Sequence, residues 1–124
     1  QLKLTANIKI FSNLNDLEVR CIYKLSKLFV FPSMYEGFGI PILESMASKL
    51  PMVLSNTKVF REITENKYIY FDQYDPLSIA QNINLITKDK NLQKKMITYG
   101  NKRIRNFTLD NQKKIMIKFY KKMK

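Results

Sequence analysis

Two carboxylates, Glu36 and Glu44, stand eight residues apart and bracket the turn Gly37-Phe38-Gly39, which Ile40 and Pro41 follow. The turn lies between an apolar run, Leu28-Phe29-Val30-Phe31, and a segment with helical spacing. Glycine lets a backbone come close to a ligand, and free N–H groups at a helix start attract an anion. Phosphate is the natural guest of such a turn. Carboxylates repel phosphate, so the hydrogen-bonding targets of Glu36 and Glu44 are hydroxyls, which a sugar or a ribose supplies in adjacent pairs. The same residues also fit a plain strand-to-helix turn, in which Glu44 complements the helix dipole and Glu36 is solvated. Spacing alone leaves both readings open.

The elements around this turn follow from periodicity. Short strands are expected at 8–11, 28–31, 52–54 and 68–71; continuous apolar runs such as Leu28–Phe31 suit parallel strands covered on both faces. Asn15 and Asp16 offer caps to a helix whose apolar stripe is Leu17, Cys21, Ile22 and Leu25, with Cys21 expected in the core. Pro41 suits the first position of a second helix, where its missing N–H costs nothing, with Leu43, Met46, Ala47 and Leu50 on the buried face. Asp75-Pro76 opens a third, carrying Leu77, Ile79, Ala80, Ile83 and Ile86. A fourth runs from about 91 to 107, weakened by Gly100, and Asp110 caps a last helix in which Met116, Phe119, Tyr120 and Met123 share a face. Strands alternating with helices predict an open α/β layer with a parallel sheet, in one unit. Ligands of such sheets bind beyond the carboxyl ends of the strands. Residues 28–32 and 52–55 are therefore expected to be adjacent, with Glu36 and Glu44 opening on one crevice at their ends.

Composition narrows the chemistry. The chain has 124 residues, one cysteine and no histidine, which excludes an internal disulfide, a His-based triad and Cys/His zinc sites within it. Asp72 and Asp75 lack Asp-x-Asp spacing, and no metal is expected. No apolar run approaches the length of a membrane span. The net charge of +12 is uneven: residues 1–62 carry +3 and residues 63–124 carry +9. A basic C-terminal half fits a solvated face, simple Lys-rich usage, or contact with anionic lipid. Tyr68, Tyr70, Phe71 and Tyr74 read as core and loop packing. No nucleic-acid-binding pattern surrounds them.

The stretch Glu36 to Glu44 resembles the Glu-x7-Glu signature of retaining GT-B glycosyltransferases of the group 1, family four type. Phe29 to Ser33 resembles the strand entering that motif, and Glu44 to Ala47 with Pro51 to Asn56 the helix and strand leaving it. Arg61-Glu62-Ile63, Tyr68 to Pro76 and Asn106-Phe107-Thr108 match weaker positions. The resemblance implies a Rossmann-like parallel sheet with flanking helices, forming the later part of the donor-binding second domain over residues 1–124. It also implies a nucleotide diphosphate sugar as donor, no cofactor, and polysaccharide-building chemistry in bacteria. The backbone at Gly37, Phe38, Gly39 and Ile40 would face the donor sugar and diphosphate, and Glu44 would accept hydrogen bonds from the ribose. Glu36 would contact the donor sugar near the reacting carbon. It is a natural candidate nucleophile by position, but the resemblance implies a front-face route in which it positions and stabilises.

Ser12, Lys27, Lys49 and Leu109 depart from residues common in the family, which blurs substrate identity rather than membership. The family's acceptor-binding N-terminal domain and its basic pair for the diphosphate fall outside the resembling stretch. Residues 1–124 alone are accordingly expected not to transfer sugar, and strand 8–11 is expected to lack its usual neighbours. A cytoplasmic location is implied, with peripheral membrane contact through the basic C-terminal helices. The competing reading is a non-catalytic basic module that binds an anionic membrane surface or nucleic acid.

Overall fold

A computed structural model describes residues 7–123. Three parallel strands, β1 (Phe29–Phe31), β2 (Met52–Ser55) and β3 (Ile69–Phe71), form a sheet in the order β1-β2-β3. Val30 pairs with Val53, and Leu54 with Tyr70, so the strand ends at Phe31, Ser55 and Phe71 share one edge of the layer. All four residues of β2 are buried, whereas β1 is half-buried. The expected adjacency of 28–32 and 52–55 is therefore observed. At the carboxyl ends, Ser55 Oγ donates to the Phe31 carbonyl at 3.0 Å and fastens β2 to β1.

Six α-helices surround the sheet among the described residues: α1 (Asp16–Leu25), α2 (Ile40–Ala47), α3 (Lys58–Thr64), α4 (Pro76–Lys88), α5 (Lys90–Arg103) and α6 (Leu109–Lys122). Side-chain caps explain most of their starts. Asn15 Oδ1 accepts from the amides of Leu17 and Glu18, while Glu18 Oε2 accepts from the Asn15 amide at 2.8 Å, which completes a capping box. Thr57, Asp75, Asp89 and Thr108 cap α3, α4, α5 and α6. The cap of α6 is thus Thr108, and Asp110 lies in the first turn. The helix expected over 91–107 ends at Arg103 and tightens into a 3₁₀ turn, Ile104–Phe107. Helix α3 lies between β2 and β3, where the sequence analysis places no helix.

The core is built from Ile42 and Met46 of α2, the β2 residues, Phe60 and Ile63 of α3, Phe71, Ile86 and Met96. Burying each such side chain contributes about 1.5–3 kcal/mol. Gly100 is an asset here rather than a weakness of α5. A Cβ at that position would lie 2.7 Å from Tyr68 Oη and 3.2 Å from Met46 Cγ, so its absence lets α5 close on α2.

Residues 8–11 are not a strand: no neighbour pairs with them among the described residues, and Ile8, Ile10 and Phe11 are exposed. Alternation cannot hold an extended segment without partners for its N–H and C=O groups. The helical period of α1 was legible, but the expected face was the wrong one. Leu17, Cys21 and Leu25 are exposed, while Val19 and Tyr23 turn inward toward α2. On α2 the buried residues are Ile42, Ser45 and Met46; Leu43 is half-buried and Ala47 exposed. Of the four aromatics assigned to packing, Tyr68 and Phe71 are buried, Tyr70 is half-buried and Tyr74 is exposed.

Candidate functional site

The loop from Pro32 to Gly39 leaves the carboxyl end of β1 and enters α2. Its last residue, Gly39, adopts φ 89° and ψ 51°, a left-handed conformation that costs most residues free energy. Its carbonyl accepts from the Ile42 amide at 3.0 Å. No side chain caps α2, and Pro41 removes one of the N–H groups that would need a cap. The helix N-terminus therefore presents backbone N–H groups and a positive dipole end beyond the strand edge. Gly37 differs from Gly39: a Cβ there would meet no atom within 4 Å, so packing does not demand glycine at that position.

The two carboxylates have separate partners. Glu36 is half-buried, and its Oε1 accepts from Ser33 Oγ at 3.1 Å; the same hydroxyl lies 3.0 Å from the Tyr35 carbonyl. Ser33 thus holds the loop's curl and orients Glu36. Glu44, one turn into α2, is exposed, and its Oε2 accepts from the Tyr23 hydroxyl at 3.1 Å. Burial, then the negative charge of Glu44 and this hydrogen bond, hold the Tyr23 phenol protonated well above its usual range, so it remains a donor. The Tyr23 ring packs edge to face on Phe29, 5.5 Å between centroids.

Glu44 lines a cavity of about 550 Å³ between α1 and α2, together with Asp16, Arg20, Tyr23, Lys24 and Ser48. That volume lies within the roughly 300–1,000 Å³ typical of small-molecule sites. Glu36 and Gly37 to Ile40 are not among its lining residues. Both carboxylates belong to one strand-turn-helix unit, and each is hydrogen-bonded by a different hydroxyl. A second depression, about 590 Å³, lies at the α4–α5 junction; its one carboxylate, Asp89, is engaged in capping α5.

Tyr23 and Ser33 were not singled out from sequence. A signal for Tyr23 existed: Asp16, Arg20, Tyr23 and Lys24 repeat at helical spacing opposite the apolar stripe. Phe107 also reaches the site, because its ring meets Phe38 edge to face at 5.9 Å. Among the described residues no group of three or more His, Cys, Asp or Glu is placed to hold a metal ion, and no helix is long and apolar enough to cross a membrane.

The family profile described as Glycosyl transferases group 1 matches residues 1–103. The chain is 29% identical over 117 residues to O-antigen chain mannosyltransferase RfbU of Salmonella typhimurium, covering 93% of this chain and 31% of that protein. It is 35% identical over 77 residues to the serotype-specific mannosyltransferase WbdA of Escherichia coli, covering 60% of this chain and 9% of that one. The fold is similar to sucrose-phosphate synthase from Thermosynechococcus elongatus, with a TM-score of 0.83 at 20% identity over 97% of this chain and 31% of that one. That likeness confirms the α/β layer as a GT-B-type domain. The chain spans about a third of the length of RfbU. With a profile match over most of its residues, on the fold that the motif implied, the chain belongs to the glycosyl transferases group 1 family.

Proposed function

We propose that residues 1–124 form the donor side of a retaining hexosyltransferase that uses a nucleotide diphosphate sugar. The observation that carries this reading is the uncapped start of α2 at Gly39, set at the carboxyl edge of a parallel sheet with Glu36 before it and Glu44 one turn after it. The diphosphate lies against the N–H groups of the Gly37–Ile40 turn, where the helix dipole favours negative charge. Glu44 accepts from the ribose hydroxyls. Glu36, oriented by Ser33, accepts from hydroxyls of the donor sugar and stabilises positive charge that develops at the anomeric carbon as the diphosphate leaves. The names of the relatives make mannose the first sugar to test and a bacterial surface polysaccharide the first acceptor class.

The test is turnover by the full-length protein with a panel of nucleotide sugars. Glu36→Gln should lower kcat by about 10²–10³, the range seen when a preorganised transition-state contact is removed. Glu44→Ala should mainly raise KM for the donor. Normal turnover in Glu36→Gln, or a product with inverted anomeric configuration, would overturn the reading.

A second reading concerns α6 and adds to the first. Ile115, Met116, Phe119 and Tyr120 of this helix and its cap residue Met123 are exposed, none of the helix's residues is buried, and Lys113, Lys114, Lys118, Lys121 and Lys122 lie beside this stripe. An apolar stripe flanked by lysines is the pattern of a helix lying in an anionic membrane surface. We propose that α6 makes such a contact, which would place the protein at the inner face of the membrane. Co-sedimentation of the full-length protein with phosphatidylglycerol vesicles, lost in Phe119→Glu and weakened by salt, is the expected result. Unchanged solubility with vesicles present would assign the stripe to cover by another part of the protein.

A further inference from the structure

The contact between Tyr23 and Glu44 joins two helices that otherwise meet across the cavity. Tyr23 is braced: its half-buried ring packs edge to face on Phe29 of β1, which directs its hydroxyl from α1 toward α2. Glu44, by contrast, is on the exposed side of α2, where a glutamate has three rotatable bonds and many rotamers. The hydroxyl of Tyr23 takes up Oε2, which leaves Oε1 without a hydrogen bond among the described residues. A carboxylate pinned through one oxygen presents the other, and its remaining lone pairs, in a set direction. The free Oε1 and the second lone pair of Oε2 can then accept from the two hydroxyls of a vicinal diol.

From this geometry we infer that Tyr23 is the positioning residue for Glu44: it fixes the carboxylate in the orientation that reads the ribose diol of the donor. The inference rests on the donor-site reading above, and it assigns a role to a residue outside the Glu36–Glu44 segment. Arg20, three residues before Tyr23, and Lys24, the residue after it, line the same cavity and offset the charges of Asp16 and Glu44, which keeps its potential from turning repulsive to a phosphate-bearing guest.

The experiment is calorimetric binding of ADP, GDP and UDP to the full-length protein, then of the 2′-deoxy counterpart of whichever binds. Tyr23→Phe keeps the ring on Phe29 and removes only the donor, so the fold should be retained, with circular dichroism and thermal midpoint as controls. Affinity for the ribonucleotide should fall roughly 3- to 10-fold, the effect of losing one hydrogen bond's worth of orientation. Affinity for the deoxynucleotide should change less, so the preference for ribose narrows. On a Glu44→Ala background Tyr23→Phe should cause no further loss. Equal losses for both nucleotides, with a lowered thermal midpoint, would make the contact a structural tie and overturn the inference. Loss in Glu44→Ala but none in Tyr23→Phe would also overturn it, while leaving the donor site standing. Nucleotide affinity unchanged in Glu44→Ala would instead overturn the donor-site reading on which it rests.

Discussion

Phe38, in the middle of the glycine turn, meets Phe107 edge to face, with ring centroids 5.9 Å apart and planes at 73°. Phe107 is itself covered on another side by the Arg103 guanidinium, 4.8 Å from its centroid. Arg103 is anchored in turn: Nη1 pairs with Glu65 Oε1 at 2.7 Å, and Nε donates to the Ile63 carbonyl at 2.7 Å. The turn that holds the candidate donor contacts is thereby tied to the end of α5 and to the end of α3, both distant in sequence.

That tie should be measurable as a coupling. Phe38→Leu and Phe107→Leu each keep an apolar side chain but lose the aromatic pairing, worth about 0.5–1.5 kcal/mol. Chemical denaturation of the two single variants and the double variant should show a coupling of that size. Strict additivity would mean that the rings only share solvent exclusion.

The two glycines of the turn should separate stability from function. Gly39→Ala forces a side chain into a left-handed conformation and places its Cβ 3.1 Å from Phe60 Cε1. It should destabilise the protein by about 1–3 kcal/mol. Gly37→Ala meets no neighbour and should change stability by no more than about 0.5 kcal/mol, yet raise KM for the donor sugar. Thermal melts alongside donor kinetics distinguish the two; equal melting losses would refute the separation.

Gly100 and Tyr68 should behave as a pair. Gly100→Ala puts a methyl 2.7 Å from Tyr68 Oη, an overpacking that should cost about 1–3 kcal/mol despite alanine's better helix propensity. Tyr68→Phe removes the clashing oxygen together with its hydrogen bond to the Met96 carbonyl at 3.1 Å, a loss of about 1 kcal/mol. The double variant should be more stable than the sum of the two losses predicts, as read from denaturation midpoints.

Tyr68 also sets an alkaline limit. Burial first, then the neighbouring phenols of Tyr99 and Tyr70, push its ionisation above the ordinary value of 10.0. The folded protein therefore holds this proton where the unfolded chain releases it. The associated stability is fully present below pH about 10 and is lost as pH rises through the folded value. Tyr68→Phe should show a shallower decline of thermal midpoint above pH about 10 than the parent protein. Parallel declines would place the alkaline sensitivity elsewhere.

The sequence by itself determined the parts that depend on neighbours in the chain. Met52–Leu54 is apolar throughout because both faces of the central strand are covered, and the equally apolar run Leu28–Phe31 marks a strand although β1 lies at the sheet edge and is only half-buried. Asn15 and Asp75 announce helix starts because a short polar side chain satisfies N–H groups two or three residues on. Gly39 with Pro41 marks the strand-to-helix turn because only a few residues tolerate that backbone path. The segment Glu36–Glu44 carried the family for the same reason: its chemistry is packed into nine consecutive positions. Tertiary structure decided which face of each element has a neighbour. Residues 8–11 alternate like a strand but have no pairing partner among the described residues, and the apolar side of α1 faces solvent while Val19 and Tyr23 turn inward. No local rule could pair Tyr23 with Glu44, Ser55 with Phe31, or Phe38 with Phe107. Each contact joins residues at least 21 positions apart, and it exists only because the parallel sheet and the close approach of α5 to α2 fix the distances between elements.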